Sequence, residues 1–110
     1  MFKIEAITPL IGAEISGVSL NKDLSSETLE KIYNALIKHQ VIFFREQNLT
    51  PESHLKLANC LGDIDPGHPV YPHVEGFQSI TLLKNDGNSR PDTNDWHKDL
   101  TFKSNPPFAS

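Results

Sequence analysis

Residues 25–39, SSETLEKIYNALIKH, constrain the fold most, because they permit little besides an amphipathic helix. Leu29, Ile32, Tyr33, Leu36 and Ile37 fall at i, i+3, i+4, i+7 and i+8, one apolar stripe on a 3.6-residue period. Ser25 or Ser26 offers a capping hydroxyl, and Glu27 and Glu30 suit the positive end of the helix dipole. Lys38 and His39 suit the opposite end. Such a stripe needs an apolar surface to lie on, and the flanking sequence supplies one. "VIFF" reads as a short, fully buried strand. Upstream, "FKIEAIT" alternates apolar and polar as a strand does. "PLIGAEISGVSL" continues through a turn into a second extended segment, with Gly12 and Gly17 as breakers. Downstream, Thr50-Pro51-Glu52 starts a second helix, with a capping Thr and Pro at the first helical position. Leu55, Ala58 and Leu61 mark its inner face, and Gly62 its stop. "QSITLLK" is a further strand, residues 85–95 form a polar turn-rich loop, and "WHKDLTF" returns to alternation as a last strand. The order β-β-α-β-α-β-β predicts an α+β, mostly β architecture in which two helices cover a sheet. A length of 110 residues fits one domain. The sequence ends on "SNPPFAS", with no element to close a sheet, so part of a domain is the expectation.

Charge excludes some functions. A net charge of −4 with scattered Lys and Arg supplies no basic stripe for nucleic acid. No basic run suits a membrane-surface helix, and no apolar run approaches the length of a bilayer span. The N-terminus "MFKIEAITPL" has no signal-peptide core, which leaves a cytoplasmic location as the default. Cys60 is the only cysteine, so no intrachain disulfide forms. Its apolar surroundings, "LKLANCLG", predict a small buried residue in a helix.

Chemistry concentrates in "NDWHKDLTF". On a strand, His97, Asp99 and Thr101 share one face, and Trp96, Lys98, Leu100 and Phe102 the other. One imidazole and one carboxylate side by side are two members of a 2-His-1-carboxylate site for non-haem Fe(II). A bare H-x-D is unspecific, since this composition yields about 0.3 such pairs by chance. A solvated His and Asp on an exposed edge strand is the alternative. Of the other histidines, His39 ends one helix and His54 lies near the start of the next, both surface-placed. His68 and His73 sit in "GHPVYPH". Two imidazoles and Tyr71 in a Pro-rich loop suit an anion or polar ligand as well as a rigid turn with exposed rings.

Four stretches together resemble the taurine dioxygenase (TauD/TfdA) family of Fe(II)/2-oxoglutarate-dependent oxygenases. They are "ITPLIGAEISGVSL", "LIKHQVIFFREQNLTPESHLKLANCLGDI", "HPVYPHVEG" and "DWHKDLTF". The resemblance implies a double-stranded β-helix (jelly roll), here partial, with its C-terminal remainder absent. It implies that His97 and Asp99 are the first two iron ligands, and that His68 and Tyr71 hold a substrate sulfonate. Thr93 occupies the position where the taurine enzyme has a substrate-contacting Asn, with Asn94 one residue later. The family's second metal His and its 2-oxoglutarate Arg are expected outside these residues. The implied cofactors are Fe(II), 2-oxoglutarate and O2. The implied reaction hydroxylates the carbon bearing a sulfonate and releases sulfite and an aldehyde, with succinate and CO2. "HPVYPH" points to the taurine branch. The alternatives are an alkylsulfate or carboxylate substrate, or a non-catalytic truncated fragment. The family suggests a homo-oligomer when full length. For the 110-residue chain alone, weak iron binding and no turnover are expected.

Overall fold

The computed structural model describes residues 1–88 and 95–110. They form two compact units, Met1–Asp63 and Ile64–Ser110. The first holds β1 (Lys3–Ala6), β2 (Ala13–Ser16), α1 (Ser26–His39), β3 (Ile42–Phe43) and α2 (Pro51–Leu61). The second holds β4 (His73–Val74) and β5 (Phe77–Thr81).

In the first unit β1 pairs antiparallel with β2, setting Ile4 opposite Ile15. β2 pairs parallel with β3, setting Ala13 opposite Ile42. Parallel neighbours need a long crossover, and α1 is that crossover. The pairing begins where the Gly12 and Ala13 N–H groups donate to the His39 and Val41 carbonyls at 2.9 and 3.0 Å. Gly12 adopts φ 93°, a conformation that favours glycine. Ile15, Ile32 and Ala35 form the buried core, ringed by Phe2, Val18, Leu24, Ile42, Phe44 and Leu61. Gln47 closes the unit on one side. Its Oε1 accepts the Leu20 N–H at 2.9 Å and its Nε2 donates to the Val18 carbonyl at 3.1 Å.

Both helix starts follow the expected chemistry. The Ser25 hydroxyl accepts the Thr28 N–H at 3.2 Å. Thr50 and Ser53 form a reciprocal capping box, with Pro51 at the first helical position. At the other end Gly62 caps α2 by donating to the Ala58 carbonyl at 3.1 Å.

Four expectations need correction. The α1 face against the sheet is centred on Ile32 and Ala35, while Tyr33 and Ile37 are 42% and 55% exposed. Three short strands cover only part of the stripe, and Ile32 and Ala35 are the helix residues that pack with Ile15 of β2. "VIFF" is not a fully buried strand: only Ile42–Phe43 pairs, and Phe43 is exposed, because β3 is an edge strand. Cys60 lies in α2 as expected, yet it is exposed, since no residue of this short helix is fully buried. "WHKDLTF" is bent and turn-rich rather than a strand. Nothing among the described residues pairs with it, and Leu100 at φ 49° breaks extension directly after Asp99. β4 at His73–Val74 is a strand that the sequence reading did not assign, and the predicted strand after β5 is not observed. Among the described residues, no helix is long and apolar enough to cross a membrane.

Candidate functional site

The second unit carries the chemistry, and its local structure begins with the β4–β5 hairpin. Val74 pairs with Phe77 across a two-residue turn, where Gly76 takes φ 81°. The Leu82 N–H donates to the Pro72 carbonyl at 2.8 Å and extends the pairing back toward the loop. The hairpin thereby anchors one end of "GHPVYPH". Gly67 anchors the other. Its φ is 114°, and a Cβ built there would lie 2.5 Å from the Gln78 carbonyl oxygen of β5. Only glycine lets the two backbones approach so closely. The sequence signal for this role was present as a Gly directly before the His68 motif, but a lone glycine does not say what it touches.

Within the loop, His68 is held by its own backbone. Its Nδ1 accepts the N–H groups of Val70 and Tyr71, both at 3.1 Å. With Nδ1 an acceptor, the neutral ring carries its proton on Nε2, which is the donor left for a ligand. The Tyr71 ring packs beside it, centroids 4.4 Å apart and planes tilted by 38°. The arrangement presents an imidazole N–H next to a phenol, a pair suited to an oxyanion. His73 differs. Its Nδ1 lies 2.8 Å from the Val74 carbonyl oxygen, to which it donates. Replacing Gly67 with Ala is expected to push the loop off β5 and break the His68 turn. Amide exchange of Val70 and Tyr71 checks this, and should rise about tenfold or more if that turn is lost.

The "WHKDLTF" segment loses its strand but keeps its pair. His97 Nε2 lies 3.2 Å from Asp99 Oδ1, with both side chains more than half exposed. Two cis ligands, each about 2.1 Å from an octahedral metal, would lie about 3.0 Å apart, so the observed spacing fits a shared ion. The opposite edge of the ring supports the same use. His97 Nδ1 is 3.1 Å from the Asp95 carbonyl oxygen, which can only accept, so Nδ1 carries the proton. That makes Nε2 the ring atom facing Asp99, and in the neutral ring it is the nitrogen available to ligate an ion shared with that carboxylate. Among the described residues, no group of three or more His, Cys, Asp or Glu is placed to hold a metal ion. His97 and Asp99 are thus two potential ligands side by side among the described residues. Thr93 lies outside the described residues. His54 is exposed and His39 is half-buried at the end of α1.

One tie in this unit was not foreseen. Lys103 Nζ lies 2.7 Å from Asp65 Oδ2. The Lys103 ammonium, and to a lesser degree the Gly67 N–H, hold the Asp65 carboxyl below its ordinary value. A lowered carboxylate pKa means that the tie is complete above the unfolded value and is lost as pH falls through the folded one.

Comparison with known proteins gives a consistent picture. The family model described as "Taurine catabolism dioxygenase TauD, TfdA family" matches residues 3–110. An alpha-ketoglutarate-dependent sulfate ester dioxygenase of Pseudomonas putida is 42% identical over 108 residues, covering 97% of this chain and 35% of that protein. An alkylsulfatase of Acinetobacter baylyi is 38% identical over 101 residues, covering 91% of this chain and 31% of that protein. Among solved structures, a taurine dioxygenase from Burkholderia xenovorans superposes with a TM-score of 0.69 at 35% identity, covering 76% of this chain and 31% of that one. The chain thus spans about a third of the length of the curated relatives it matches.

Proposed function

Because the chain belongs to the TauD/TfdA family of dioxygenases, we propose that it is the N-terminal part of a single double-stranded β-helix domain that hydroxylates a carbon bearing a sulfate ester or a sulfonate. The observation that carries this reading is the His97–Asp99 pair, 3.2 Å apart, with Nδ1 of the imidazole against the Asp95 carbonyl. An imidazole nitrogen and a carboxylate oxygen suit Fe(II), and a second His from the rest of the domain would complete the site. When bound, Fe(II), 2-oxoglutarate and O2 supply the oxidation and yield succinate and CO2.

The protein's own part is placement. His68 Nε2–H and the Tyr71 hydroxyl donate to sulfo oxygens, while the loop backbone locks the imidazole in the donating tautomer. Holding the anionic head fixes the adjacent carbon for attack, and the entropy of orientation is met before the reaction begins. Two substrate classes share this head. In a sulfate ester the hydroxylated carbon expels sulfate and becomes an aldehyde. In a sulfonate it expels sulfite.

The sulfate ester is the leading reading. The curated relatives at 42% and 38% identity are a sulfate ester dioxygenase and an alkylsulfatase, and Thr93 stands where the taurine enzyme has Asn. The sulfonate reading keeps the support of "HPVYPH" and of the Burkholderia taurine dioxygenase. A panel of alkyl sulfates and alkyl sulfonates, assayed with the full-length protein for succinate, sulfate and sulfite, separates them. Sulfate released in step with succinate is the expected result. Sulfite instead would favour the sulfonate, and neither anion with any substrate would reject the function.

A further inference from the structure

We propose that the Asp65–Lys103 ion pair is a positioning strut that fixes the turn carrying the metal pair to the segment entering the His68–Tyr71 loop. The proposal rests on the function above and assigns to this chain's own residues the alignment of its two half-sites. Asp65 stands two residues before Gly67 and three before His68. Lys103 stands four residues after Asp99 and closes a turn by donating its N–H to the Leu100 carbonyl at 3.1 Å. One contact at 2.7 Å therefore bridges 38 residues of sequence and joins the stems of both pairs.

Three features give this tie weight. First, within these 110 residues no described side chain of the second unit is fully buried, so the placement of its segments leans on polar contacts. In such a unit, polar ties carry the geometry. Second, the tie is more shielded than the other lysine pairs. Its side chains are 39% and 37% exposed, against 63% and 59% for Lys3–Glu5, 50% and 77% for Lys31–Glu27 and 62% and 85% for Lys56–Asp23. Water therefore screens it less. Third, Leu100, between Asp99 and Lys103, is held at φ 49°. A non-glycine residue keeps that conformation only where its surroundings impose it. A lysine pinned at 103 supplies that constraint and so sets the direction in which Asp99 leaves the turn.

The test uses the full-length protein with Asp65→Ala, Lys103→Ala and the charge-swapped pair Asp65→Lys/Lys103→Asp. In the metal-free protein, each alanine variant should speed hydrogen exchange of peptides spanning residues 64–74 about two- to fivefold, the range of a partly exposed ion pair. The swapped pair should restore it. In the loaded enzyme, KM for the sulfo substrate should rise by the same factor, while KM for 2-oxoglutarate stays unchanged. A general loss of stability would instead lower kcat through a smaller folded fraction and leave both KM values in place. Unchanged exchange in both alanine variants, or a swapped pair no better than either, would overturn the strut. Failure of the functional reading looks different: the wild-type protein would form no succinate with any sulfo substrate, while metal-free exchange would still decide the strut.

Discussion

Replacing His97 with Ala in the full-length protein is expected to lower substrate-dependent succinate formation at least a hundredfold and to leave the purified protein poor in iron. His97 is oriented through Nδ1 by the Asp95 carbonyl, and its Nε2 lies beside Asp99. Losing a residue that merely supports a ligand typically costs about 10- to 100-fold in metal affinity or activity, and losing the ligand itself costs more. In the 110-residue chain both side chains are more than half exposed, so the substitution removes no core contact of this part of the protein. Metal content by elemental analysis, beside an unchanged circular dichroism spectrum, separates loss of the site from loss of the fold. A His97→Ala protein that retained iron and turnover would show that the pair is only a surface contact.

The second large effect belongs to the core. Ile32→Ala in this 110-residue chain is expected to cost about 2–5 kcal/mol, the range for deleting a buried branched side chain. Ile32 is 1% exposed and packs in the cluster with Ile15 and Ala35. A unit of 63 residues commands only about 3–9 kcal/mol of net stability, so this change removes much or all of it. Ile37→Ala, at a position 55% exposed on the same helix, should cost about 0.5 kcal/mol or less in this chain. Urea denaturation followed by far-ultraviolet circular dichroism measures both. Equal costs would mean that the apolar stripe, rather than the Ile32–Ala35 face, packs on the sheet.

That contrast also shows where sequence was a good guide. Local signals were read correctly where the physics is local. Ser25 caps α1, Thr50 and Pro51 start α2, and Gly12 and Gly17 take positive φ. Errors arose where burial depends on distant partners. Periodicity showed that α1 has an apolar side, but only packing with Ile15 of β2 shows that Ile32 and Ala35 are buried while Tyr33 and Ile37 are not. Apolar neighbours suggest a buried Cys60, but no residue of α2 is fully buried and the thiol is exposed. The "WHKDLTF" strand failed for the same reason. Alternation needs a partner to become a strand, and none of the described residues supplies it.

The candidate site was legible in part. An H-x-D spacing suggested His97 beside Asp99, and they do meet at 3.2 Å, through a bent segment instead of a pleat. His68 and Tyr71, which the sequence offered as ligand-suited groups in one Pro-rich loop, lie side by side with centroids 4.4 Å apart. Gly67 under β5 and the Asp65–Lys103 tie were not legible, because each depends on residues brought together from far along the chain.

The most direct measurement is the visible absorption spectrum of the full-length protein under anaerobic conditions, as Fe(II) and 2-oxoglutarate are added. The account predicts a charge-transfer band that requires both additions and is absent when Asp99 is replaced by Ala. No band in the wild-type protein, or an equal band in the Asp99→Ala protein, would contradict it.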